Sequence, residues 1–208
     1  MPNRKDDRRP GGAADADLLR RTLDHVATAI IIVGRGGAVL DFNQSAAAIV
    51  RARAGLSCND RVIHATVPAA DRKLHSVMTE AIEAVGHVGR CFGILRLPRG
   101  DGAAQSLHVC VVSLREQAAG LFIIDPLQEV RIRADLLREV FDLSPAEARV
   151  AVELMAGRNA REISKRLDVS VHTVRTHLRS VLAKTAAGSQ RNLTRLLARG
   201  LGSLHLDT

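Results

Sequence analysis

Apolar positions in the first half of the chain come in short runs of strand length. The runs Ala29 to Val33 (AIIIV) and Ala38 to Phe42 (AVLDF) flank Arg35-Gly36-Gly37. Two β-rich runs around a glycine pair predict a hairpin. Asn43 then supplies a helix N-cap for the Ala-rich stretch Gln44 to Arg53, and a second helical pattern runs from about Ala69 to Val85. Three more strand-like runs follow, Cys91 to Leu97, Leu107 to Leu114 and Leu121 to Ile124, the first two separated by the turn residues 98–102 (PRGDG). A short amphipathic helix, Leu18 to Ala27, precedes them all. Strands this short bury a core only if the intervening helices cover one sheet face, so residues 18–126 predict an α+β module with an antiparallel sheet.

Beyond residue 126 the period changes. Leu127, Val130, Ala134, Leu137 and Phe141 recur at alternating three- and four-residue intervals, with charged residues between them. This spacing predicts a helical linker over 127–142 whose seam either pairs with a second copy or packs on the chain's own sheet. Leu143-Ser-Pro-Ala-Glu147 is a compact helix start: Ser144 caps, Pro145 suits the first position and Glu147 completes a capping box. Gly157 supplies a left-handed stop, and Asn159 with Glu162 repeats the start signal. Asp168-Val169 makes a short turn and Ser170 caps a third helix through about Lys184, with a last helix over Ser189 to Arg199. Two helices joined by three or four turn residues, the second with a fresh cap, form a helix-turn-helix. Residues 143–208 therefore predict an all-α four-helix domain.

The third helix has two chemistries. Val171, Val174, Leu178, Val181 and Leu182 hold it to the domain, whereas His172, Arg175, Thr176 and Arg179 project from the opposite side. Arg can read guanine O6 and N7 in a major groove, and Thr can meet a thymine methyl or a phosphate. Charge agrees with this reading. Residues 143–208 hold 11 Lys and Arg against five Asp and Glu, an excess of six positive charges, so the rest of the chain carries two of the total +8. A basic excess concentrated in one domain points to a polyanion partner.

The segment Leu143-Ser-Pro-Ala-Glu147, with Gly157, Glu162-Ile163, Leu167, Val169-Ser170, Thr173-Val174, His177-Leu178 and Lys184, resembles the LuxR/NarL-type output domain of transcription regulators. The resemblance implies base reading by Arg175, Thr176 and Arg179 and phosphate contacts by His172, Thr173 and Lys184. It also implies a dimer element in the last helix, with Leu193, Leu196 and Leu197, to which the linker seam adds Leu137 and Phe141. Two positions depart from the pattern: Thr185-Ala186 stands where the family tends to have Leu-Gly, and Gln190 where Arg is common.

Residues 18–126 resemble a PAS domain in their opening hairpin, in Phe42-Asn43 at the strand-to-helix joint and in Asp125-Pro126 after the last strand. That resemblance implies a sensor or dimerisation module. A pocket between sheet and helices would be lined by Ile30, Ile32, Ile94, Val109, Val111 and Ile123 and would suit a small apolar ligand. The alternative is that these side chains fill the core and the domain only dimerises. A phosphoacceptor receiver is disfavoured by the order of elements, and a lactone pocket by the absence of Trp and Tyr.

Composition narrows the remaining classes. No apolar run approaches the roughly 20 residues of a membrane helix, and residues 1–17, charged and rich in Gly, Pro and Ala, read as a disordered leader on a cytoplasmic protein. Cys58, Cys91 and Cys110 form no close-spaced pair and read as small hydrophobes. The eight histidines show no ligand spacing; His64, His75 and His87 read as surface or structural residues and not as haem ligands, and no metal or cofactor is expected. No nucleophile elbow or phosphate-cradling loop suggests an enzyme. The sequence thus predicts a dimeric, DNA-binding transcription regulator whose partners are duplex DNA, a small-molecule signal and RNA polymerase. The competing function is an adaptor whose helix-turn-helix binds a protein.

Overall fold

The computed structural model describes residues 12–84, 86–100, 105–115, 117–128, 132–200 and 202. The chain divides into two compact units, Met1–Ile124 and Asp125–Thr208. None of the helices among the described residues is long and apolar enough to cross a membrane.

In the first unit, helix α1 (Gly12–Asp24) leads into strands β1 (Ala29–Val33) and β2 (Val39–Phe42), then α2 (Gln44–Arg51). The hairpin β3 (Leu56–Asn59) and β4 (Val62–Ala65) follows, then α3 (Pro68–Glu83) and strands β5 (Cys91–Leu97), β6 (Leu107–Ser113) and β7 (Ala119–Ile124). Five strands form one antiparallel sheet in the order β2-β1-β7-β6-β5. One face is buried: Ala29, Ile31 and Val33 of β1, Leu95 and Leu97 of β5, Leu107, Val109 and Val111 of β6, and Ala119, Leu121 and Ile123 of β7. Leu74, Met78, Ala81 and Ile82, spaced at helical intervals on α3, cover it, together with Ala46 and Ile49 of α2. This is the α+β arrangement that the period-two runs require.

Asn43 organises the joint between sheet and helix. Its Oδ1 caps α2 by accepting from Ala46 N (3.1 Å) and also accepts from Ile30 N (2.9 Å). Its Nδ2 reaches the carbonyls of Leu23, Val26 and Thr28. The buried amide is thereby satisfied at both ends, as a polar group removed from water has to be.

Four expectations need correction here. Residues 12–17 belong to helix α1 and not to a disordered leader; residues 1–11 lie outside the described residues. Ile30, Ile32 and Ile94 lie on the sheet face turned away from α2 and α3, Ile30 and Ile32 beside Arg20 and Leu23 of α1 and Ile94 73% exposed, so of the proposed pocket lining only Val109, Val111 and Ile123 face α2 and α3. A continuous apolar run reads the same in either parity, and a one-residue slip exchanges the two faces. The segment between α2 and α3, to which the sequence pattern assigned no element, forms the β3–β4 hairpin. Its turn residues Asp60 and Arg61 both have positive φ (49° and 63°), which is type I′ geometry without the usual Gly.

The fourth correction concerns the linker, which falls in the second unit. Helix α4 spans only Ala134–Phe141; Leu127 is exposed in a turn, and Val130 lies outside the described residues. Helices α5 (Pro145–Met155), α6 (Ala160–Leu167), α7 (Val171–Lys184) and α8 (Gln190–Arg199) follow. Leu137 is fully buried in a cluster with Leu143, Ala148, Ala151, Val181, Leu193 and Leu197, and Phe141 is half-buried against it. The apolar seam of α4 is therefore used inside its own domain. A second cluster, Val150, Ile163, Val174 and Leu178, joins α5, α6 and α7.

Candidate nucleic-acid interface

Three residues, Asp168 to Ser170, separate α6 from α7. Asp168 takes the left-handed conformation (φ 52°) that ends α6, and Val169 N returns to Ser164 O (3.1 Å), closing the helix terminus. Ser170 Oγ then accepts from Thr173 N (3.0 Å) and starts α7 in a new direction. The upstream termini use the same devices: Ser144 with Glu147 and Asn159 with Glu162 are both reciprocal capping boxes, and Gly157 takes φ 79° after α5.

Val174, Leu178 and Val181 bury one side of α7. On the other side His172, Arg175, Thr176 and Arg179 are exposed, and among the described residues neither Arg175 nor Arg179 forms an ion pair. Thr176 Oγ1 donates to His172 O (3.1 Å), which leaves its lone pairs and its methyl group on the outer surface. Thr173 is half-buried, its hydroxyl 2.8 Å from Ser170 Oγ. The helix thus presents two guanidinium groups one turn apart on a backbone fixed from behind. Such a surface suits the acceptor-rich edge of guanine and the phosphates beside it.

Lys184, expected at a phosphate-contacting position, also joins two helices. Its Nζ donates to Glu147 Oε2 (2.9 Å) and to Asp142 O (2.8 Å). Glu147 is buried; its Oε1 accepts from Ser180 Oγ (2.5 Å) and its Oε2 from Ser144 N (2.7 Å). The Ser180 hydroxyl, the Ser144 amide and the Lys184 ammonium hold the Glu147 carboxyl down from an ordinary 4.5 to about 2, against the opposing effect of its burial. The network pins the start of α5 to the end of α7, so Lys184 helps to fix α7 in place. In sequence the Ser144–Glu147 spacing showed only a capping box; the Ser180 and Lys184 contacts bridge more than 30 residues and left no local signal.

The residues expected to dimerise divide in the same way. Leu193 and Leu197 of α8 lie in the domain core with Leu137, whereas Leu196 is 43% exposed. Leu196 is the most exposed member of that set, and Phe141 is half-buried.

In the first unit, Cys91 Sγ and Cys110 Sγ lie 3.1 Å apart across β5 and β6. Burial and the neighbouring Cys91 thiol push the Cys110 thiol up to about 11. Sequence spacing hid this pair, because 18 residues separate Cys91 from Cys110 along the chain. Among the described residues, His64, Asp71 and His75 have ligand atoms that converge in a way that could hold a metal.

Residues 142–197 match the family model of bacterial regulatory proteins, luxR family. No curated protein matches the chain. Among solved structures, phage VqmA in complex with DPO is 16% identical over 94% of this chain and 92% of that one, with a TM-score of 0.39. A VqmA dimer from Vibrio cholerae is 18% identical over 93% and 90% (TM-score 0.36), and SdiA from Escherichia coli is 14% identical over 92% and 90% (TM-score 0.28).

Proposed function

With residues 142–197 a regulatory domain of the luxR family, we propose that the chain is a transcription regulator that reads duplex DNA as a dimer. Arg175, Thr176 and Arg179 meet base edges, and His172 and Thr173 contact phosphates. The observation that carries this reading is the exposed, unpaired arginine face of α7 on a helix whose opposite face is locked by Val174, Leu178 and Val181. The first unit is the sensing or dimerising module, and a signal there acts only by its differential affinity for two arrangements of the protein. Promoter DNA and RNA polymerase are cytoplasmic partners in this reading, and no catalytic step is part of it.

Fluorescence anisotropy on a mixed duplex pool tests the reading. Binding at moderate salt that weakens steeply as salt rises is expected, since each neutralised phosphate releases counterions. Failure to bind any duplex at moderate salt would overturn it.

A further inference from the structure

We propose that His64, Asp71 and His75 in the first unit bind a divalent first-row transition metal of the zinc class. His64 lies on β4, while Asp71 and His75 are four residues apart on α3 and so share one face of that helix. Asp71 presents one carboxylate oxygen to each imidazole: Oδ2 lies 3.1 Å from His64 Nδ1, and Oδ1 lies 3.6 Å from His75 Nε2. Donor atoms held at zinc bond lengths of about 2.0–2.2 Å with tetrahedral angles are roughly 3.4 Å apart. Each imidazole nitrogen lies near that distance from one of the two carboxylate oxygens, and one ligand atom from each of the three residues can be taken so that all lie within 4.8 Å of one another.

Hydrogen bonding alone leaves the cluster incomplete. His64 Nδ1 and Asp71 make one bond, but His75 Nε2 is buried and among the described residues has no hydrogen-bond partner. Its distance of 3.6 Å from Asp71 Oδ1 is too long for a hydrogen bond. A metal seated among the three would satisfy that nitrogen and both neighbours together.

The surroundings hold the ligands in place. Ala65 N donates to Asp71 Oδ1 (2.7 Å), which orients the carboxylate. The His75 ring lies against Gly37 at the turn before β2, where an added Cβ would come within 2.8 Å of His75 Cε1. Gly37, with φ 78°, leaves room for the ring that a side chain would displace. Beside the cluster a polar cleft of about 480 Å³, lined by residues that include Arg53, Ser57, Asn59 and Thr66, leads to His64 and Asp71. A coordination position that the protein leaves unfilled would be open to water from that cleft. Two imidazoles and one carboxylate suit zinc and its neighbours better than magnesium or calcium, which prefer oxygen donors throughout.

The test uses the full chain, prepared without a polyhistidine tag, stripped with a chelator and titrated with Zn²⁺. Calorimetry and metal analysis should find one ion per chain, and Co²⁺ should give visible bands of a nitrogen-ligated site. His75→Ala and Asp71→Asn should each weaken affinity by at least about 100-fold, while the double variant Cys91→Ser/Cys110→Ser should bind as the wild type does. The inference is overturned if the wild-type chain takes up no metal. It is equally overturned if uptake survives His75→Ala and Asp71→Asn but is lost with the two thiols. Metal content of the wild-type chain decides the question even where a variant fails to fold.

Discussion

In the proposed reading Arg175 and Arg179 are the base-contacting residues of α7, and their substitution should separate recognition from folding. Both side chains are exposed, so Arg175→Ala or Arg179→Ala should leave the melting temperature unchanged. Each should cost about 1–3 kcal/mol on the preferred duplex and relax base preference at one position. Competition titrations with single-base variants of the site measure this, and unchanged selectivity in both variants would assign base reading to other residues. Glu147 and Lys184 should behave in the opposite way. Glu147→Gln or Lys184→Ala removes one partner from a buried network and should destabilise the domain by about 1–3 kcal/mol, read by chemical denaturation. The folded Glu147 carboxyl is held at about 2 against an ordinary 4.5. Its contribution is complete above the ordinary value and is lost as pH falls through the folded one, so the wild type should lose stability between about pH 4.5 and 2. Glu147→Gln should flatten that part of the profile. The outward residues of α7 were legible in the sequence because helical spacing alone sorts them from the buried ones. The Lys184 network was not, because a cation at a helix end looks the same whether it meets a phosphate or a distant carboxylate.

At the scale of elements, helix termini were the most legible features, because caps are local chemistry. Ser144, Asn159, Ser170 and Ser189 all bond the first-turn amides that their positions imply. Sheet parity and the extent of α4 were not legible, since both depend on which partner covers an apolar side chain. The departure at Thr185-Ala186 now has a physical description. Thr185 is buried with its hydroxyl on Val181 O (2.8 Å), and Ala186 takes the left-handed conformation (φ 52°), with Ala187 N closing on Leu182 O (3.2 Å). This is a Schellman terminus with a Cβ where glycine is favoured. Ala186→Gly should therefore raise stability by about 1 kcal/mol, the relieved strain exceeding the added chain entropy. Gly157→Ala, at φ 79°, should lower stability by about the same amount. Thermal melts of the two variants should move in opposite directions; a shift of the same sign in both would refute the strain argument.

At the scale of the whole molecule, dimerisation has to use surface that folding leaves free. Leu137, Leu193 and Leu197 are spent in the core, so charging any of them would unfold the second unit rather than split a dimer. Leu196→Glu is the informative substitution, because that side chain is 43% exposed. Sedimentation should show a dimer for the wild type and a shift towards monomer for Leu196→Glu, with folding retained. A wild-type monomer bound to DNA one to one would remove the dimer from the account. Two subunits related by a two-fold axis present two copies of α7, so their combined target is a pseudo-palindrome with half-sites about one helical turn apart. Selection of bound duplexes from a random pool tests the central claim most directly. The account predicts enrichment of one such palindrome by the wild-type chain and loss of that enrichment in Arg175→Ala/Arg179→Ala; a pool that stays random with the wild type, or enriches identically with the double variant, would contradict it.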